Sequence, residues 1–455
     1  MPLRMIYRTG RLIPEDKDNY NIFSVNCAAM FTIKNHLEVR NDHLIIGGSD
    51  TIELAQQYGT PLYVTNESRV IGNFSAYRKA FPDADIYYAA KANGSFAILR
   101  MLAREGAGAD VFSYGELYMA LLAGIPREKI LFNGNSKTDF ELQKAVELGV
   151  KVSVDSRDEL HTLSEIAEKT GKMAKIAFRV NPDVSPKTHP KIATGLSSSK
   201  FGIPAGEVVD TYREASNLPG ISPIGIHCHI GSQILDTSPF TEATQKMMDL
   251  VEKVVGLGIE LEFVDMGSGL GIPYKKGEKA PTPRDHANAI LPLFNERTKA
   301  LGISPKLILE PGRYIVGDTT ILLTRVNTVK KAAKNFVGVD AGFNLLIRPT
   351  MYDSYHYAVV ANKAGSKPDE TYTIVGPICE TGDIFAKDRE LPRIEKGDLI
   401  ALLDAGAYGF SMSSQYNGRP RCAEVLVKDG ESDVIRSAED VGDLLGKQNL
   451  PARLM

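Results

Sequence analysis

Between residues 85 and 313 the chain alternates short apolar runs with helical stretches, and no other feature constrains its fold as strongly. The runs cover 86–90, 109–112, 130–132, 152–154, 176–180, 224–229, 263–266 and 307–310. Between them lie amphipathic stretches such as 96–104, 115–122, 140–148 and 160–169. Parallel neighbours need a long crossover, so strand–helix alternation means a parallel sheet. Eight repeats in about 230 residues predict a closed (β/α)8 barrel of the TIM type rather than an open doubly wound sheet. An earlier run at 62–64, followed by a helical stretch capped by Asn66, reads as a lead-in unit to that barrel.

After about residue 321 the texture changes. The runs 372–375, 401–403 and 423–427 are short, β-like and separated by Gly, Pro and Asp, which predicts a mainly antiparallel β domain. The strand-like segment 36–46 is expected to join it. The predicted organisation is an N-terminal extension over 1–30, a strand segment over 31–55, a barrel over 56–320 and a C-terminal β domain over 321–455. Met30 is an alternative start.

Formal net charge is −3, and the 53 basic and 56 acidic residues are spread along the chain, so neither nucleic acid nor membrane is an expected partner. No apolar run approaches the roughly 20 residues that span a bilayer. Cys27, Cys228, Cys379 and Cys422 form no C-x-x-C pair. That spacing suggests neither a zinc ribbon nor a disulfide framework, and fits the reducing cytoplasm.

Chemistry in such a barrel sits where strands end, so the residues after each run are the candidates. Lys91 follows the run 86–90. A desolvated lysine has a lowered pKa and a free amine for a Schiff base, although a lysine at a strand exit is more often simply solvated. Gly267-Ser268-Gly269-Leu270-Gly271 follows the run 263–266 and is either a phosphate cradle or a tight turn. His227 and His229 end another run, with Ser232 close behind. Spacing of two puts both on one strand face, where they could bind zinc, stack on a flat cofactor or bond within the barrel. Glu310-Pro311-Gly312-Arg313 offers a carboxylate able to keep a ring nitrogen protonated and a guanidinium fit for phosphate or carboxylate; its bland reading is a surface ion pair. In the β domain, Cys379-Glu380 and the stretch 404–408 are bland when taken alone.

Jointly, these motifs resemble the fold-type III decarboxylases that use pyridoxal phosphate, and among them the diaminopimelate decarboxylase family. The matching segments are 88–93, 227–233, 267–271, 310–313, 347–352, 379–383 and 416–421, in the family's order. The resemblance implies an alanine-racemase-like barrel and decarboxylation of meso-2,6-diaminopimelate to L-lysine, the last step of lysine biosynthesis. It implies that Lys91 carries pyridoxal 5'-phosphate, that His229 stacks on its ring and that Glu310 faces its nitrogen. Ser232, Gly269, Pro311, Gly312, Arg313 and Tyr408 complete the cofactor site. Arg313, Arg348, Tyr352, Glu380 and Tyr408 bind substrate, and Cys379 is the proton donor. In the family Cys379 and Glu380 come from the neighbouring subunit, which implies a homodimer with shared active sites. No metal is implied. The family usually has glycine where this chain has Ser268, a residue small enough to donate to phosphate. A sister decarboxylase for another diamino acid, a metal-dependent barrel hydrolase on His227 and His229, and a non-catalytic relative are the alternatives.

Overall fold

The eight apolar runs form eight strands: β1 (Asp85–Ala89), β2 (Gly108–Val111), β3 (Ile130–Phe132), β4 (Lys151–Val154), β5 (Ala174–Asn181), β6 (Ile221–Cys228), β7 (Phe263–Asp265) and β8 (Lys306–Leu309). In the computed structural model, which describes residues 31–186, 189, 199–275 and 277–455, every neighbouring pair is parallel. β8 pairs with β1 and β4 with β5, so the sheet closes into a (β/α)8 barrel. The expected 1–30 extension lies outside the described residues.

Strand side chains alternate between faces, and here the alternation sorts two cores. Residues such as Ile86, Tyr88, Val152, Phe178 and Val264 point outward into the layer shared with the helices. Tyr87, Leu131, Ala177, Ile224, Phe263 and Ile308 point inward and plug the barrel. Two residues further along the strands, on the same inward face, the character reverses. Asn133, Arg179, Asp265 and Glu310 follow Leu131, Ala177, Phe263 and Ile308, and Asp110, Ser153 and His227 join them; all are buried. The barrel is an apolar plug under a polar layer, and the polar layer sits at the strands' C-terminal ends. Three loops over that rim are cut short by helix caps. Ser113, Thr138 and Ser156 accept from the N–H three residues on, at 3.2, 3.3 and 3.2 Å.

The second sheet has nine strands, with the long strand Thr320–Lys331 at its centre. Six of its eight pairings are antiparallel; Asn335–Val339 with Glu370–Val375, and Ala423–Lys428 with Leu62–Asn66, are parallel. The run at 62–64 is therefore not a lead-in to the barrel. Every residue of Leu62–Asn66 is buried, and the strand lies between Thr320–Leu323 and Ala423–Val427 of the second sheet. A fully buried strand needs ladder partners on both edges, and only this sheet supplies both. The segment 36–46 forms a small sheet of its own, Leu37–Arg40, His43–Ile46 and Ser49–Asp50. It joins the second domain by packing, with Leu37, Leu44 and Ile46 set against Leu62, Val64, Ile321 and Val425. Among the described residues, no helix is long and apolar enough to cross a membrane.

Candidate active site

Lys91 sits in a single 3-10 turn, Ala90–Ala92, directly after β1. Two neighbours fix that turn. Ala89 N–H donates to the Pro311 carbonyl at 3.2 Å, and a Cβ on Gly312 would lie 3.0 Å from that of Ala92, so the β8 loop rests on it. From the second domain, Tyr408 N–H donates to the Ala92 carbonyl at 2.7 Å, and Asn93 Nδ2 donates to the Gly406 carbonyl at 3.2 Å. A Cβ on Gly406 would fall 1.8 Å from the Val316 carbonyl oxygen, so only glycine allows this approach. Tyr408 thereby reaches the cleft that Lys91, His229, Ser232, Gly269 and Glu310 line.

The Lys91 ammonium bonds to Asp110 on β2 and lies 4.3 Å above the Phe112 ring. Burial alone would lower its pKa, as the sequence argument supposed. The Asp110 and Glu310 carboxylates outweigh burial and hold the amine above its ordinary value. Asp110 is itself raised, by burial and by the Glu310 charge, while the Lys91 ammonium and Asn133 favour its charged form.

Glu310 lies in the polar layer. Asn133 Nδ2 donates to its Oε1 at 2.6 Å, and His227 Nε2 stands 3.4 Å from its Oε2. Ser153 Oγ lies 2.8 Å from the other ring nitrogen of His227. Burial opposes ionisation of Glu310, but His227 and Lys91 hold its pKa below the usual carboxylate range. Asp265 behaves in the opposite way: burial and the Glu310 charge push it well above that range. Like charges buried together oppose each other's ionisation, and the cost falls on Asp265.

The zinc alternative needs His227 and His229 together. Ligand atoms of His227, Asp265 and Glu310 lie within 4.8 Å of one another, and His229 is not among them. It has left the strand, since β6 ends at Cys228, and it lines the cleft instead. One oxygen of each carboxylate already accepts, from Asn133 and from Gly267 N–H. Burial and Arg179 hold His229 well below its ordinary pKa, as suits a neutral ring that stacks.

The glycine loop crosses the segment after β6. Ile234 N–H donates to the Gly269 carbonyl at 2.9 Å, and Gly271 N–H returns to the Ile234 carbonyl at 3.0 Å. A Cβ on Gly269 would fall 2.1 Å from the Gly231 carbonyl oxygen. Ser268 lines the cleft beside Gly269. It is fully buried, with Oγ 3.1 Å from Tyr77 OH in the helix layer.

Arg313 is buried, not a surface ion pair. Its Nε and Nη2 donate to Ser232 Oγ at 3.2 and 3.1 Å, and Nη1 donates to Tyr274 OH at 2.8 Å. Beyond Tyr274 a side pocket opens, lined by Arg348, Tyr352 and Ser354. Arg348 lies 4.6 Å above the Tyr274 ring. The structure thus gathers Lys91, His229, Ser232, Gly269, Glu310, Gly312, Arg313 and Tyr408 around one cleft, with the Pro311 carbonyl tied to Ala89 beside it and Arg348 and Tyr352 in a second pocket that shares Arg313.

Cys379 and Glu380 line neither. They are exposed, with Cys379 Sγ 3.3 Å from Glu380 Oε2 and Glu380 bonded to Tyr416. The sequence reading missed Asp110, Asn133, Arg179, Asp265, Tyr274 and His356. The first four carry a signal: each is a polar residue at inward parity within or just after an apolar strand.

An amine, an ionised carboxylate, a neutral imidazole and a glycine cradle around one cleft fit pyridoxal phosphate. Residues 67–317 match the family described as the pyridoxal binding domain of the pyridoxal-dependent decarboxylases. The diaminopimelate decarboxylase of Archaeoglobus fulgidus is 59% identical over 412 residues, which cover 90% of this chain and 98% of that one.

The chain belongs to the diaminopimelate decarboxylase family.

The family's member from Methanothermobacter thermautotrophicus is 49% identical over 91% of this chain and 97% of its own. A solved diaminopimelate decarboxylase from M. jannaschii superposes with a TM-score of 0.88, at 41% identity, covering 92% of this chain and 99% of that one. A second structure from that organism, in complex with L-lysine, gives 0.87 over the same shares at the same identity.

Proposed function

We propose that the chain is a carboxy-lyase that converts meso-2,6-diaminopimelate to L-lysine and CO2 with pyridoxal 5'-phosphate, closing lysine biosynthesis. The observation that carries the substrate assignment is the pair of buried arginines, Arg313 and Arg348, on either side of Tyr274. Their hydrogen bonds go to hydroxyl and imidazole groups, and among the described residues neither forms an ion pair. Two unmatched buried cations favour a ligand that brings a second carboxylate. A diamino acid without it leaves them unpaired, which makes discrimination steep.

Lys91 would hold the cofactor, and Asp110 pairs with its amine and orients it. Glu310, oriented by Asn133 and His227, would hold the proton of the ring nitrogen, and His229 would cover the ring. Ser232, the Gly269 loop, Pro311, Gly312 and Tyr408 enclose the rest. When bound, pyridoxal phosphate supplies the electron sink for the broken carbon–carbon bond. Arg313, Arg348 and Tyr352 hold the distal carboxylate. Cys379, as proton donor, and Glu380, at the distal ammonium, serve a neighbouring subunit's site in a cytoplasmic homodimer. Their exposure, away from both clefts of their own chain, supports that arrangement.

Borohydride reduction followed by mass spectrometry is expected to place a pyridoxyl group on Lys91. Turnover is expected to favour meso-diaminopimelate over ornithine by orders of magnitude; preference for ornithine would overturn the substrate assignment.

A further inference from the structure

Arg348 opens a short helix, Arg348–Tyr352, and the chain then doubles back onto it. Asp353 makes the reversal in the left-handed region, at φ 50. The return brings Ser354 and His356 against the guanidinium. Nη2 donates to Ser354 Oγ at 3.3 Å, and Nη1 meets His356 Nε2 at 3.0 Å. Arginine only donates, so Nε2 must accept and carries no proton. The other ring nitrogen, Nδ1, stands 2.8 Å from the Leu403 carbonyl oxygen, which only accepts; Nδ1 therefore carries the proton. Two fixed partners select one neutral tautomer. A second proton would set an N–H against an N–H, and burial, reinforced by Arg348, pushes the ring pKa down to about 3.

The third wall is Tyr274. His356 packs edge-on to it, with centroids 5.7 Å apart and planes at 72°. The face of the same ring carries Arg348, while its hydroxyl accepts from Arg313. Tyr274 thus spaces two guanidiniums that would otherwise repel. His356 itself is fully buried and presents nothing to a ligand. Its position has a consequence only through Arg348: an arginine already held in place gives up less rotamer freedom when a carboxylate arrives.

We propose that the return segment, Ser354 and above all His356, is a positioning device that orients Arg348 and so sets selectivity for ligands bearing a distal carboxylate. The proposal rests on the substrate assignment above.

The test compares L-lysine, which keeps that carboxylate, with cadaverine, which lacks it. Binding of each to the holoenzyme is measured by calorimetry, beside KM and kcat for meso-diaminopimelate. His356→Asn keeps a donor for Leu403 but removes the acceptor for Arg348. His356→Gln sets an amide oxygen near the place of Nε2. In His356→Asn, L-lysine affinity and KM are expected to weaken about 10-fold or more, since a hydrogen bond to a charged group is lost. Cadaverine affinity, kcat and the cofactor absorbance band should hold, and His356→Gln should recover part of the loss. Equal weakening for both ligands, or unchanged L-lysine binding in a folded variant, would overturn the proposal. A wild-type enzyme that binds cadaverine as tightly as L-lysine would overturn the substrate assignment and this proposal together. If His356→Asn does not fold, Ser354→Ala removes the other contact at a half-buried position. It should lower the ratio of L-lysine to cadaverine affinity in the same sense but by less, and an unchanged ratio overturns the proposal.

Discussion

The Lys91 cleft and the arginine pocket beside it are built on opposite plans. In the cleft, the charged groups find partners inside the protein: Lys91 with Asp110, and Glu310 with Asn133 and His227. In the pocket, Arg313 and Arg348 are buried against hydroxyl, ring and imidazole groups, and among the described residues neither forms an ion pair. A matched set is poised before substrate arrives and governs the chemical step. An unmatched set gains most when the right ligand binds and governs choice. Mutations in the two regions should therefore separate kcat from KM.

The largest effect is expected at the amine. Lys91→Ala should lower kcat by about 10³-fold or more and abolish the borohydride adduct. A variant that retains turnover would remove the cleft's claim to the chemistry. Next, Glu310→Gln removes a preorganised charge and should lower kcat roughly 10²-fold with little change in KM. A KM effect of equal size would blur the division between the regions. Arg348→Lys keeps the charge but loses the planar fork held by Ser354 and His356. It should lower kcat/KM about 10- to 100-fold, chiefly through KM.

The smallest effect concerns stability. Each region is backed by a buried neutral histidine. His356 stands behind Arg348, and His286 stands behind Tyr77 with its ring 4.2 Å from that of Phe240. Burial lowers both from 6.5 to about 3. Below pH 6.5 the unfolded chain binds protons that these folded sites refuse, so their stabilisation is complete above pH 6.5 and is lost as pH falls toward 3. Each contributes a slope of about 1.4 kcal/mol per pH unit in that window. Replacing His286 by Phe should flatten the fall of Tm between pH 6 and 4, and an unchanged slope would refute its buried neutral state.

The two regions also differ in how far they can be read in advance. Lys91, Glu310, Arg313, His229 and the glycine loop each follow an apolar run, so barrel geometry alone converges them. Asp110, Asn133 and Asp265 were open to the same reasoning, because inward parity carries from the plug to the layer above it. The arginine pocket offers no such periodicity. Arg348 and Tyr352 came from family resemblance, and nothing local marks Tyr274 or His356. Nothing local marks the partner of Ser268 either, since its hydroxyl meets Tyr77, 191 residues away in sequence.

What the sequence by itself determined is whatever rests on local period: eight strands, their inward faces, and the rim where a cofactor site belongs. Short-range alternation is enough for these because each strand and its helix bury their faces within one repeat. Only the tertiary structure decided the rest. Leu62–Asn66 became a central strand of the second sheet because its two ladder partners lie more than 250 residues away. His356 became a neutral acceptor because the Leu403 carbonyl, 47 residues on, holds its proton. A hydrogen-bond role that depends on the partner across the fold leaves no trace in spacing.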